Sequence, residues 1–250
     1  NNSSQNKIAL IRYNPDGSLD TTFGSVGIVT TAIGSSSAVA FALAIQPDGK
    51  LVVAGSSCIM DCSPDVFVFV LVRYDTDGNL DTTFGTGGIV TTPIGTSNDA
   101  AFALAIQSNG KLVAAGESNN GTQNVFALVR YHTDGSLDTT FNTTGIVTTA
   151  IGDHDDDAYA LVIQSDGKLV VAGDSANDAF NDAFTLARYN TDGSLDTTFG
   201  TGGIATTTIG SVDSVVNAVA TQSDGKLVAV GYSGDGGNRF FTVARYNHDG

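Results

Sequence analysis

The feature that most constrains this chain is that it repeats. The dipeptide Arg-Tyr recurs at Arg12-Tyr13, Arg73-Tyr74, Arg130-Tyr131, Arg188-Tyr189 and Arg245-Tyr246, at spacings of 61, 57, 58 and 57 residues. The string LDTTF starts at Leu19, Leu80, Leu137 and Leu195. A Gln-x-(Asp/Asn)-Gly-Lys-Leu-Val run starts at Gln46, Gln107, Gln164 and Gln222. Four near-copies and one extra terminal strand thus occupy residues 1–250 as a single repeat domain. Repeats of this kind bury their apolar faces by stacking on their neighbours.

One copy, Ile89 to Tyr131, reads as four short strands. IVTTPI is β-branched, and AFALAIQ is an apolar run with small residues. Ser108-Asn109-Gly110 is a tight turn, KLVAAG returns, and VFALVRY follows a variable loop. Asn-Gly here, and Asp-Gly at Asp48, Asp166 and Asp224, stand between two apolar runs, a strong hairpin signal. No copy has room for a capped ten-residue helix. The strands are apolar on both faces, as sheets covered on both sides require. The expected fold is therefore all-β: a β-propeller of four-stranded antiparallel blades with repeats of about 57 residues. The alternatives are an open β repeat array and a parallel solenoid. The solenoid is disfavoured because its coils are usually shorter and lack an Asp-Gly hairpin in each one.

The string DGSLDTTFG (Asp16 to Gly24), followed by GIVTT and by IQPDGKLVVAG (Ile45 to Gly55), closely resembles the delta-60 repeat family. The resemblance covers all four copies. It implies a β-propeller-like fold, a bacterial surface or secreted protein, no assigned biochemical function and no enzyme activity.

Charge narrows the partners. The formal net charge is −15, which repels nucleic acid and anionic lipid. No apolar run approaches the ~18 residues a membrane helix needs, so no membrane insertion is expected. Of 26 acidic residues 25 are Asp, a turn former, and one is Glu117. Nine of the 11 basic residues fall at two repeating positions, the Arg-Tyr arginines and Lys50, Lys111, Lys168 and Lys226. Positive charge is therefore part of the repeat's architecture. A buried Arg needs a partner, and the LDTTF aspartate is the natural one. Structural ion pairs are expected among Arg12, Arg73, Arg130, Arg188 and Asp20, Asp81, Asp138, Asp196.

Other motifs bear on chemistry. The turn (Asn/Asp/His)-x-Asp-Gly-x-Leu-Asp resembles part of a calcium loop, with Asp16, Asp77, Asp134 and Asp192 as candidate metal ligands. A third early ligand and a bidentate Glu are missing, so a turn held by its own Asx hydrogen bonds is the favoured reading. No cofactor is expected, with calcium as the alternative. His154 sits in Asp153-His154-Asp155-Asp156-Asp157, read as a solvated acidic loop. Cys58 and Cys62 share one insertion, and a local disulfide is expected over a zinc pair or free thiols. There is no Gly-x-Ser-x-Gly elbow and no phosphate loop, and Glu117 has no obvious partner, so no catalytic residues and no enzyme are expected.

The expected function is that of a non-enzymatic extracellular structural or interaction domain, a surface scaffold or a filament subunit, secreted or at the cell surface. The alternative is a glycan- or peptide-binding module using the variable loops Ser56 to Asp65, Glu117 to Asn124, Asp174 to Asp182 and Tyr232 to Asn238. Their only aromatic residues in this reading are Phe180 and Tyr232. Self-association is expected through the terminal strands Lys7 to Tyr13 and Phe240 to Tyr246, with closure on the same molecule preferred to exchange between copies.

Overall fold

A computed structural model describes residues 6–34, 37–58, 66–176 and 181–250. Seventeen strands and no helix occur among them. Three complete antiparallel sheets form the middle of the molecule. The first holds β3 (Ala38–Ile45), β4 (Leu51–Cys58), β5 (Phe67–Tyr74) and β6 (Ile89–Thr92). The second holds β7 (Asp99–Ile106), β8 (Leu112–Asn119), β9 (Asn124–Tyr131) and β10 (Ile146–Thr149). The third holds β11 (Asp156–Ile163), β12 (Leu169–Ala176), β13 (Asp182–Tyr189) and β14 (Ile204–Thr207). Before them lies a pair, β1 (Ile8–Ile11) and β2 (Ile28–Thr31). After them lie three strands, β15 (Ser214–Thr221), β16 (Leu227–Asp235) and β17 (Asn238–Tyr246).

The expected blade is shifted by one strand. Ile89 to Tyr131 is not one sheet: β6 pairs with β5, as Leu71↔Val90, and closes the preceding blade. The LDTTF turn explains this. Tyr74 bridges Leu80, the Phe84 amide donates to the Asp81 carbonyl, and Gly88 donates to Phe84, so the chain turns back beside the strand it has just left. Each blade thus runs from the AFALAIQ strand to the IVTT strand.

Each first strand carries a bulge at an equivalent place: Phe41, Phe102, Tyr159 and Asn217 are skipped in the register. The second strand answers with glycine. A Cβ on Gly55, Gly116, Gly173 or Gly231 would lie 1.8–1.9 Å from a first-strand carbonyl oxygen, a distance no side chain tolerates. That is the physical reason for the Gly ending each KLVVAG-type run.

Blades stack through four apolar interfaces. The Phe69, Leu71 and Phe84 face of the first full blade packs on Ala114, Val129 and Tyr131 of the second. Equivalent clusters join the second to the third and the third to β15–β17, while β1–β2 packs on the first. The Tyr of the last four Arg-Tyr pairs crosses the interface. Tyr74 Oη donates to Thr31 Oγ1 at 2.7 Å, Tyr189 Oη to Thr149 Oγ1 at 2.8 Å, and Tyr131 Oη stands 2.7 Å from Thr92 Oγ1. Each buried hydroxyl is satisfied by the last strand of the blade before. Burial of such side chains stabilises by roughly 1.5–3 kcal/mol apiece.

The array is open. The preferred expectation, closure of the terminal strands on the same molecule, is not met among the described residues: β1 pairs with β2 and β17 with β16. The faces that neighbours cover elsewhere are bare at both ends. Phe241 is 83% exposed, whereas its counterpart Phe69 is 0% exposed. At the other end Ile11, Tyr13, Phe41, Leu43 and Ile45 are exposed and border a groove of about 440 Å³ between β1 and β3.

Candidate functional site

Two polar assemblies stand out, one repeated and one unique. In the repeated one, Arg Nε meets the carboxylate eight residues on: Arg12 with Asp20 at 2.8 Å, Arg130 with Asp138 at 2.6 Å, and Arg188 with Asp196 at 2.7 Å. Arg73 and Asp81 stand 2.8 Å apart as an ion pair, although the N–H is not aligned for a hydrogen bond. The same guanidinium donates to the LDTTF threonine, Thr140 Oγ1 for Arg130, and lies 4.5 Å above the Phe141 ring. It also reaches the next repeat, as Arg130 Nη1 to the Thr191 carbonyl and Arg73 Nη1 to that of Thr133. The repeating lysines complete the set: Lys50 with Asp81, Lys111 with Asp138, and Lys168 with Asp196, at 2.7–2.8 Å.

This arrangement moves the aspartates below the usual carboxylate range. For Asp81 the Lys50 ammonium leads, followed by Thr83. For Asp138 and Asp196 burial opposes the shift but is outweighed by the lysine and threonine donors. The first copy is looser. The Arg12 side chain is 35% exposed against 7% for Arg130, and among the described residues no lysine reaches Asp20. Arg245 is exposed and pairs with no aspartate among the described residues. The placement at four interfaces makes the assembly a clamp between repeats.

The candidate metal aspartates are engaged in their own turns. Asp16, Asp134 and Asp192 each accept the amide and hydroxyl of the residue two on, Ser18, Ser136 and Ser194. In the second copy the acceptor is Asp75, which receives the amides of Asp77 and Asn79. Cys58 is disulfide-bonded, and Cys62 lies outside the described residues, as does Phe180.

The unique assembly lies where the variable loops meet the second and third blades. Glu117, which the sequence left without a partner, accepts from Asn124 Nδ2 at 3.3 Å. The same amide donates to Asp157 at 3.2 Å, and the Tyr159 hydroxyl donates to the other Asp157 oxygen at 3.3 Å. Burial first, and then the hydrogen bond and charge of Asp157, push Glu117 up to about 9. Asp174 rises to about 8, from burial first and then the charge of Asp182. Asp156 rises to about 6 by burial, held back by the Ile151 and Gly152 amides it caps.

The rings of Phe41, Phe102 and Tyr159 continue away from this cluster at centroid distances of 4.9 and 5.4 Å. The sequence shows the acidic run Asp153 to Asp157 but not that Glu117 and Asp174, carried by other strands, come to lie beside it. The available signal was comparison of the copies. The position of Glu117 and Asp174 is Ser56 in the first copy and Tyr232 in the last.

Four-stranded antiparallel blades, stacked face to face and stitched by one repeated clamp, define a β-propeller repeat protein. A family model described as a domain of unknown function (DUF5122) beta-propeller matches residues 1–23, 46–84, 107–141, 164–199 and 222–250, more than half of the chain. The chain belongs to this family. No curated protein matches it.

Proposed function

We propose that the protein is a non-enzymatic structural and interaction domain outside the cell, a surface scaffold whose blades associate with further blades of the same kind. The observation that carries this reading is the pair of bare end faces. Phe241 and Val243 at one end, and Leu43 and Ile45 at the other, occupy positions that neighbouring blades cover inside the array. Exposed apolar patches bounded by open strand edges are association surfaces. The two ends differ, so contacts between copies would be head to tail and need not close. The resemblance to delta-60 repeats and the disulfide-bonded Cys58 support a bacterial, secreted or cell-surface setting.

Light scattering over a wide concentration range tests the reading. The expected result is reversible growth in mass that Phe241→Asp suppresses. A monomer at every concentration would reject it. A glycan- or peptide-binding module is the second reading, favoured by the row of rings from Phe41 to Tyr159 beside polar loops.

A further inference from the structure

We propose that Asp174, Asp182 and Asp213 form a site for a hard divalent cation of the calcium kind, between the third blade and the β15–β17 sheet. The strand register brings the first two together. Asp174 on β12 stands opposite Phe184, and Asp182 lies two residues before Phe184 on β13. Their side chains therefore share one face of the blade as diagonal neighbours. Phe184 on that face packs against Val216, Leu227 and Ala229, so the face looks toward β15–β17. Asp213 immediately precedes β15, the strand of the last sheet that packs against both β12 and β13, and its charge raises both carboxylates.

A second observation points to a ligand. Asp174 is only 4% exposed, and its Oδ1 has neither solvent nor a hydrogen-bond donor. A buried carboxylate oxygen in that state lacks a positive partner. No hydrogen bond or salt bridge among the described residues reaches the carboxylates of Asp174, Asp182 or Asp213. The basic residues of the third blade are spent elsewhere. Lys168 and Arg188 hold Asp196, and Lys168 lies at the far end of β12, about 20 Å along the strand. Asp157, directly across from Asp174, has its oxygens occupied by Asn124 and Tyr159 and adds a further negative charge.

The fold does not require this arrangement. The positions of Asp174 and Asp182 are Ser56 and Phe67 in the first blade, Glu117 and Asn124 in the second, and Tyr232 and Arg239 in the last. Among the described residues, no three acidic groups yet surround one point at ligating distance. Like charges with nothing between them stand apart, and a cation would draw them in. All the side-chain ligands are carboxylate oxygens, which excludes a preference for zinc and suits calcium, whose coordination tolerates uneven geometry better than that of magnesium. Asp182 and Asp213 are half-buried, which leaves an approach from solvent.

Calorimetric titration of the whole chain with CaCl2, and with MgCl2 for comparison, tests the site. The expected result is one saturable calcium site whose affinity falls at least tenfold in Asp174→Asn and in Asp213→Asn. Asp16→Asn, altered in an exposed turn, should bind as the parent does. Asp213 is half-buried, so its variant reports even if Asp174→Asn folds poorly. Absence of saturable binding, or binding that neither variant weakens, overturns the proposal. Loss of binding in Asp16→Asn alone would place the cation in the turns and overturn it equally. The outcome is independent of whether the end faces associate.

Discussion

The Nη1 of Arg130 donates to the carbonyl of Thr191, 61 residues further along the chain, at 2.5 Å. The same guanidinium binds Asp138 within its own repeat. One side chain therefore both folds a turn and fastens that turn to the next blade. Its planar set of donors makes the double duty feasible, and an ammonium could not reproduce it.

Arg130→Ala should cost about 3–5 kcal/mol, because it leaves the fully buried Asp138 without its guanidinium. Arg130→Lys should recover little. Arg12→Ala should cost under about 1 kcal/mol, since that pair is part-exposed. Urea denaturation of the three variants measures the ranking.

Acid and base should act on different carboxylates. Asp81, Asp138 and Asp196 are depressed in the folded state, so their contribution is present above the unfolded value of about 3.9 and is lost as pH falls through the folded one. Glu117 is raised to about 9, so its contribution is full below about 4.5 and is lost as pH rises toward 9. Melting temperature against pH, measured with chelator, should fall on both sides. Glu117→Gln should reduce the fall on the alkaline side, leaving the part due to Asp174 and Asp156, and leave the acid side unchanged.

Val26→Gly should raise stability by about 1 kcal/mol. Val26 has φ 51°, a conformation costly for a β-branched residue, and the same turn position in two other copies is Gly87 and Gly202 at φ 64° and 65°. A higher urea midpoint with an unchanged slope is the expected reading.

Gly173→Ala should disrupt the third blade, because its Cβ would lie 1.8 Å from the Asp157 carbonyl oxygen. Gly17→Ala, with open space around it and only its φ of 86° to oppose the change, should cost far less. Thermal melting of the two variants separates contact from conformation.

Much of this protein is legible in its sequence. The hairpins at Asp48-Gly49 and Asn109-Gly110, the need of each repeating Arg for an LDTTF aspartate and the Asx turn at Asp16 are each written in short motifs, although only the structure selects the aspartate eight residues on over that of the preceding repeat. Local geometry decides such features, which recur with small variations, as where Asp75 replaces the Asp16-type acceptor in the second copy. What the sequence left open depends on which strands lie side by side. Ile89–Thr92 closes the preceding blade because the LDTTF turn folds back, a fact no apolar pattern records. Glu117 meets Asp157 only because β8 and β11 come from adjacent blades and a bulge at Tyr159 re-aims the first strand. Asp174, an ordinary acidic residue in the sequence, becomes a buried and unpartnered one only when β12 is covered by its neighbours. Burial and like-charge crowding belong to the stacked blades, and they turned scattered aspartates into one cluster.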